Sequence, residues 1–282
     1  MTSHVYSTAG AFIAGLTVAD DGGASSTTTM PIFVNALQSS TVFVSSSTGG
    51  TVGGVRFADE DILSVDAGTG AWSMYFDGSD VGLGAVDLDA AERLADGRLL
   101  LSTDSPVVLG GVSYDDSDII AFTPSSTGST TTGTFGLYLS GSMIGLTTSA
   151  ENVDAIAVTP QGDLLLSTVG RLTGGGLVAE DEDLVKVIGT TLSVYLDGSA
   201  IGLGANTEDI WGASITGDSR IDFSAQGGFT LNTGLSGGSG AVAQCLPATP
   251  APVTSCSEAS LVAASALSGF ASEVIDAVIV SG

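Results

Sequence analysis

The chain has 282 residues, 31 acidic against 6 Lys and Arg, a net charge of −25 and only 13% charged residues. So acidic a surface repels nucleic acid and anionic lipid, both of which are held by clustered Lys and Arg. With 40 glycines, 7 prolines and 43% hydrophobic residues, its polarity comes mainly from Ser, Thr and Gly, which suits short strands and tight turns and argues against long helices.

Residues 1–40 read as an N-terminal extended arm. Two apolar segments, Ala11–Ala19 (with Phe12, Ile13, Leu16 and Val18) and Pro31–Leu37 (with Ile32, Phe33 and Val34), flank Ser25–Thr29, a polar run expected to be flexible. No Lys or Arg precedes the first segment and glycines interrupt it, so it does not read as a signal peptide. Nowhere does the chain reach the ~18–20 apolar residues of a membrane span. An apolar arm is costly to leave in water. It folds back on its own domain, adds a strand to a neighbouring copy in a head-to-tail contact that builds filaments, or is disordered or removed. Those seven apolar residues are the candidate assembly contacts. Ile32 to Asn35 also sit where the first repeat's own inner strand would fall, so arm and C-terminus compete for one slot.

From residue 41 three landmarks recur. A short apolar run ends in Ser at Ser45, Ser102, Ser167 and Ser224, in steps of 57, 65 and 57 residues. An acidic turn opens an apolar strand at Asp59-Glu60-Asp61, Asp116-Ser117-Asp118 and Asp181-Glu182-Asp183, in steps of 57 and 65. An aromatic strand runs into a Gly turn at Tyr75-Phe76-Asp77-Gly78, Tyr138-Leu139-Ser140-Gly141 and Tyr195-Leu196-Asp197-Gly198. Asp89-Ala90, Asp154-Ala155 and Asp276-Ala277 each open a further strand, with Trp211-Gly212 in that place in the fourth unit. The third unit gives the strands 154–158, 163–168, 183–188 and 191–196, joined by turn-forming residues.

Four antiparallel strands in a period of 57–65 residues is the plan of a propeller blade, and such units must stack to bury their faces. The expected fold is therefore all-β: a four-bladed β-propeller over 41–282. Blade 1 is 41–83 plus a closing strand in 271–282; blade 2 is 84–146, blade 3 is 147–203 and blade 4 is 204–270. The chain starts on a second-strand segment and ends on an inner-strand signature, so the C-terminal strand is expected to close the ring and remove an open edge. Unit four has Gly238-Ser239-Gly240 in place of the acidic turn, and its last strand is expected near 261–266. Cys245 and Cys256, the only cysteines, lie in its outer hairpin around three prolines and read as a disulfide of an oxidising compartment.

Catalysis finds little material. His4 is the only histidine and lies in the arm, so no nucleophile has an imidazole base. Carboxylate pairs stay open as hydrolytic groups, but acids that recur once per blade suit structural turns better. The expectation is a protein that is not an enzyme, with no certain cofactor. Ca²⁺ is the metal candidate, held by Asp59 with Asp61, Asp116 with Asp118, and Asp181 with Asp183, if each pair shares a strand face. The alternative is that these carboxylates accept main-chain N–H bonds in turns. A second set, Asp87, Asp89, Asn152, Asp154 and Asp209, falls near the innermost strands and could ring the channel. The Ser/Thr runs 25–29 and 125–134 are either O-glycan sites or plain loops.

The acidic turn, the Tyr-Phe-Asp-Gly-Ser strand at 75–79 and the Asp-Ala inner strand resemble the Asp-rich propeller-type repeats of secreted bacterial surface proteins, over about residues 41–280. The resemblance implies an extracellular, non-catalytic propeller and carries no assigned activity. The expected function is that of a surface filament or layer subunit assembled through its arm. A monomeric binding module with a carbohydrate or protein ligand is the alternative.

Overall fold

The computed structural model describes residues 10–34, 41–204, 207–217 and 219–281. His4 and residues 35–40, with Leu37, lie outside them. Four four-stranded antiparallel sheets form the four-bladed propeller. From the axis outward, blade 1 consists of Ala277–Ser281, Thr41–Ser45, Ile62–Asp66 and Trp72–Phe76. Blade 2 has Ala90–Arg93, Leu99–Ser102, Ile119–Ser126 and Thr132–Leu139. Blade 3 has Val153–Val158, Leu164–Thr168, Leu184–Ile188 and Thr191–Leu196. Blade 4 has Ile210–Ile215, Ile221–Ala225, Ala243–Pro247 and Cys256–Leu261.

The ring closes through the chain's last strand, with Ala277 opposite Ser45 and Ser281 opposite Thr41. The slot that the arm might have taken is filled from the C-terminus.

The second strands explain their unbroken apolar runs. Alternate residues face opposite ways, and both faces are covered by a neighbouring blade. Leu99 and Leu101 pack toward blade 1, and Leu100 toward blade 3. Inner strands carry small residues because the axis is crowded. Opposite inner strands, blade 2 against 4 and blade 1 against 3, approach within 8 Å between Cα atoms. A Cβ on Gly212 would press against the main chain of Ala277 and Val278.

Neighbouring blades are pinned by two features that the repeat pattern had not revealed. Each outer strand of blades 1 to 3 ends in a single helical turn, Ser79–Val81, Gly141–Ile144 or Gly198–Ile201. Between second and third strands blades 1, 2 and 4 carry a small hairpin, and blade 3 a single Leu172–Ala179 bridge. The apolar residues after each helical turn meet the hairpin or bridge of the next blade: Leu83 with Leu109, Leu146 with Leu172, Leu203 with Leu231. Phe270 closes the circle against Val52 and Phe57.

Blades 2 and 4 also reach backward. Gly128 pairs with Phe76 on the outer strand of blade 1, and Val253 with Leu196 on that of blade 3. These contacts cover two of the four outer edges. The Ser/Thr run 125–134 is thus an edge cover, with Thr131 buried and Asp80 Oδ2 accepting its N–H at 2.8 Å. The last strand of blade 4 ends at Leu261, earlier than expected. Residues 262–266 turn, with Ala263 at φ +44°, and lead into the 3-10 turn Leu267–Phe270.

The arm is a β-hairpin, Gly10–Ala19 paired with Ser25–Val34, and forms a two-stranded sheet of its own. Ser25–Thr29, expected as a flexible run, is strand: its backbone pairs with Gly15–Ala19 across a turn in which Asp20 Oδ1 accepts the Ala24 N–H at 2.7 Å. The register sets Phe12 opposite Ile32, Ala11 opposite Phe33, Gly10 opposite Val34, Ile13 opposite Pro31, Leu16 opposite Thr28 and Val18 opposite Ser26.

Candidate functional site

The axial channel has two unlike mouths. At one, the inner strands begin and all the acidic turns gather. At the other, the inner strands end around a cleft.

The acidic turns are built by the landmark residues acting on each other. In blades 1 to 3 the Ser at or next to the end of the second strand donates its hydroxyl to a turn carbonyl: Ser45 to Asp61 at 2.8 Å, Ser102 to Asp116 at 3.1 Å, and Ser167 to Asp181 at 3.0 Å. The second Asp of each turn commits both carboxylate oxygens to main-chain N–H groups. Asp61 accepts from Ala58 and Gly78, Asp118 from Asp115 and Gly141, and Asp183 from Glu180 and Gly198, all between 2.9 and 3.1 Å. These glycines open the helical turn after each outer strand, and a Cβ there would overlap the carbonyl oxygen of Glu60, Ser117 or Glu182. Only glycine lets the two chains approach so closely. Burial, opposed by those hydrogen bonds, pushes the Asp61 and Asp183 carboxyls up.

The expected Asp pairs therefore lie in turns before the third strand, not on a shared strand face. Among the described residues no group of three acid, His or Cys side chains is placed to hold a metal ion by itself. The first Asp of each turn serves the next blade. The carbonyls of Asp59, Asp116 and Asp181 accept from Leu88, Val153 and Ile210, just before or at the start of the next inner strand, at 3.2–3.3 Å. The two Asp sets, read apart in the sequence, thus meet at one mouth.

There Asp87, Asp89, Asn152, Asp154, Asp209 and Asp276 converge from all four blades. Asn152 Nδ2 donates to Asp89 Oδ2 at 2.8 Å, and the Trp211 indole N–H to Asp209 Oδ2 at 2.9 Å. Both oxygens of Asp154 and of Asp276, with Asp87 Oδ1, Asn152 Oδ1 and Asp209 Oδ1, are buried without a hydrogen-bond partner. Ser45, opposite Ala277, has its hydroxyl proton on the Asp61 carbonyl and cannot also donate to Asp276. Burial, reinforced by neighbouring carboxylates, pushes Asp87 and Asp89 up to about 7 and Asp209 to about 8. Asp154, beside Asp209 and Asp89, and Asp276, beside Asp87 and Asp89, are held well above the carboxylate range. Asp276 and the ring role of Trp211 were missed as site residues. The recurring Asp-Ala signature marks the first, while the second replaces that Asp in the fourth unit.

At the opposite mouth a cleft of about 480 Å³ is lined by inner-strand ends, among them Glu92, Arg93, Val158, Ser214 and Ser281, with Tyr138. Glu92 is buried, accepts N–H bonds from Arg93 and Val158, and is pushed up to about 8 by burial. The Cys245–Cys256 disulfide joins the third and fourth strands of blade 4, and its Cα atoms are 5.4 Å apart.

No protein-family model matches the chain, and no curated protein matches it. Similar solved structures include a protein of unknown function from Bacteroides caccae, at 6% identity and TM-score 0.32, covering 86% of this chain and 99% of that one. Another is the extracellular domain of a one-component system from B. thetaiotaomicron, at 11% identity and TM-score 0.26. That match covers 73% of this chain and 33% of the other. Likenesses this low bear on neither function nor ancestry, and the Asp-rich repeat family remains a resemblance.

Proposed function

We propose that this chain is a non-catalytic extracellular structural module that assembles by adding its N-terminal hairpin to a neighbouring propeller. The observation that carries this reading is the hairpin's separate sheet. A two-stranded hairpin is marginal in water and gains stability by joining further strands or a hydrophobic face. Its ten-residue strands leave both outer edges available for main-chain pairing. A receiving edge exists on the same chain. The outer strand of blade 2, Thr132–Leu139, has Leu137 and Tyr138 exposed, whereas the outer edges of blades 1 and 3 are covered by Gly128 and Val253. Pairing of hairpin to edge is head-to-tail and propagates into a filament. The disulfide and the absence of any long apolar helix among the described residues fit an extracellular setting.

Deleting residues 1–38 tests it, by light scattering and electron microscopy. The full chain should form end-to-end assemblies, and the truncated chain a folded monomer with an unchanged melting temperature. Assembly that survives the deletion overturns the reading. A binding module is the second reading, favoured by the cleft at the channel mouth, whose lining mixes apolar side chains with Glu92, Arg93 and Tyr138. A full-length chain that stays monomeric and binds a soluble glycan or peptide, with binding lost in Tyr138→Ala, would support it instead.

A further inference from the structure

We propose that the acidic mouth of the channel binds one partly hydrated, hard divalent cation of the Ca²⁺ or Mg²⁺ class, between Asp154, Asp276, Asp209 and Asn152, with Asp87 and Asp89 at its rim. This site is separate from the hairpin and from the cleft.

Its first support is the chemistry of the unpartnered atoms. Asp154 and Asp276 are each 1% exposed, Asp209 4% and Asn152 8%. The unpartnered atoms at this mouth are all oxygens: both of Asp154 and of Asp276, one each of Asp87, Asn152 and Asp209, and the hydroxyl of Ser224. Buried polar atoms are normally satisfied, and an ionised carboxylate buried without a partner is strongly unfavourable. Protons alone do not resolve the set. Asp154 and Asp209 can share one proton between their carboxyls, yet the Asn152 amide oxygen and the remaining carboxyl oxygens still need something positive to face. Asn152 is oriented by its own hydrogen bond, since its amide nitrogen is held by Asp89 Oδ2.

The second support is placement. Asp154 on blade 3, Asp209 on blade 4 and Asp276 on blade 1 stand at the starts of inner strands that approach one another within 8 Å between Cα atoms. So crowded an axis favours a small ion over an organic ligand. An all-oxygen donor set without His or Cys selects hard cations. No three carboxyls close on a single point, so the ion keeps part of its water shell. Asp276 directly precedes the closing strand, and the other groups belong to blades 2, 3 and 4. A bound ion therefore ties the C-terminal seam to the rest of the ring.

The test uses the full chain, stripped with a chelator and titrated separately with CaCl₂ and MgCl₂ by calorimetry and thermal melting. One saturable site is expected, with the melting temperature raised by roughly 5–10 °C at hundredfold excess over Kd. The double variant Asp154→Asn/Asp276→Asn should lose this response and, without metal, melt no lower than the parent, because neutral amides replace carboxyls whose charged form burial disfavours. Tb³⁺ gives an independent readout. Trp211, bonded to Asp209, should sensitise its emission, Ca²⁺ should displace it, and Trp211→Phe should abolish the signal while keeping the Ca²⁺ shift. No saturable binding up to about 10 mM, beyond the range of weak extracellular calcium sites, overturns the proposal. So does a shift retained in the double variant, which would assign the ion to surface acids. If that variant does not fold, absence of a Ca²⁺-displaceable Trp211 signal overturns it alone.

Discussion

Val278 of the last strand lies directly opposite Val44 of the first propeller strand, and both are fully buried. Main-chain pairing holds this seam, and the valines fill the core between blades 4 and 1. Val278→Ala should cost about 2 kcal/mol, as for comparable losses of buried methyl groups. Deleting residues 277–281 should do far more, because it bares the edge of Thr41–Ser45. A synthetic peptide of those residues should restore a cooperative melt to the deleted protein. A deletion that melts as sharply and as high as the parent would contradict the role of the seam.

The clamp in blade 3 gives a second expectation. Asp183→Ala leaves the N–H groups of Glu180 and Gly198 without their acceptor, at a cost of about 2–3 kcal/mol. Gly198→Ala should be at least as severe, since the new Cβ meets the Glu182 carbonyl. Chemical denaturation with and without chelator checks this. Equal losses in both conditions identify the turn as a hydrogen-bonded structure, and a loss seen only with Ca²⁺ would return metal binding to these pairs.

Glu92 predicts a pH dependence. Its folded-state pKa, about 8, lies above the ordinary value of 4.5, so the folded state holds the proton more tightly than the unfolded one. Its contribution is complete below about pH 4.5 and is lost as pH rises through about 8. Glu92→Gln removes that titration, although it also loses one acceptor for the Arg93 and Val158 N–H groups. The variant should start lower at pH 5 and fall less between pH 6 and 9. Parallel melting curves for the two proteins over that range would refute it.

The disulfide offers a fourth measurement. Replacing Cys245 and Cys256 by Ser should cost about 3 kcal/mol on the chain-entropy account of a short loop. The same loop carries Val253, whose N–H and carbonyl bond the Tyr195 carbonyl and the Asp197 N–H at 2.7 and 3.0 Å. Hydrogen exchange at Asp197 should therefore speed up although it belongs to blade 3. Exchange confined to blade 4 would show that the edge cover is independent of the crosslink.

The blades were legible because their landmarks share a spacing series, and the third unit's strands fall within a residue of expectation. The smaller hairpins were written just as openly, in Val52-Gly53-Gly54-Val55 and Leu109-Gly110-Gly111-Val112, whose glycines all take positive φ. They were overlooked because strands of three residues show no periodicity. The last strand of blade 4 was misplaced for a similar reason: 261–266 is apolar enough for a strand, but Cys256–Leu261 pairs with Ala243–Pro247 across the disulfide. The Asp pairs were placed on strands because alternation cannot distinguish a strand's first residues from the turn before it. Convergence of Asp154, Asp209 and Asp276 is a product of ring closure between residues far apart in the chain, and no local pattern contains it.

The pairing of Thr41 with Ser281 decides how the molecule sits when tethered. Both residues stand on the cleft side, so a linker attached before one or after the other leaves from that side. Anchored to a support through either, the ring would turn its carboxylate side outward. A sheet of such subunits would present all its acidic turns on a single surface.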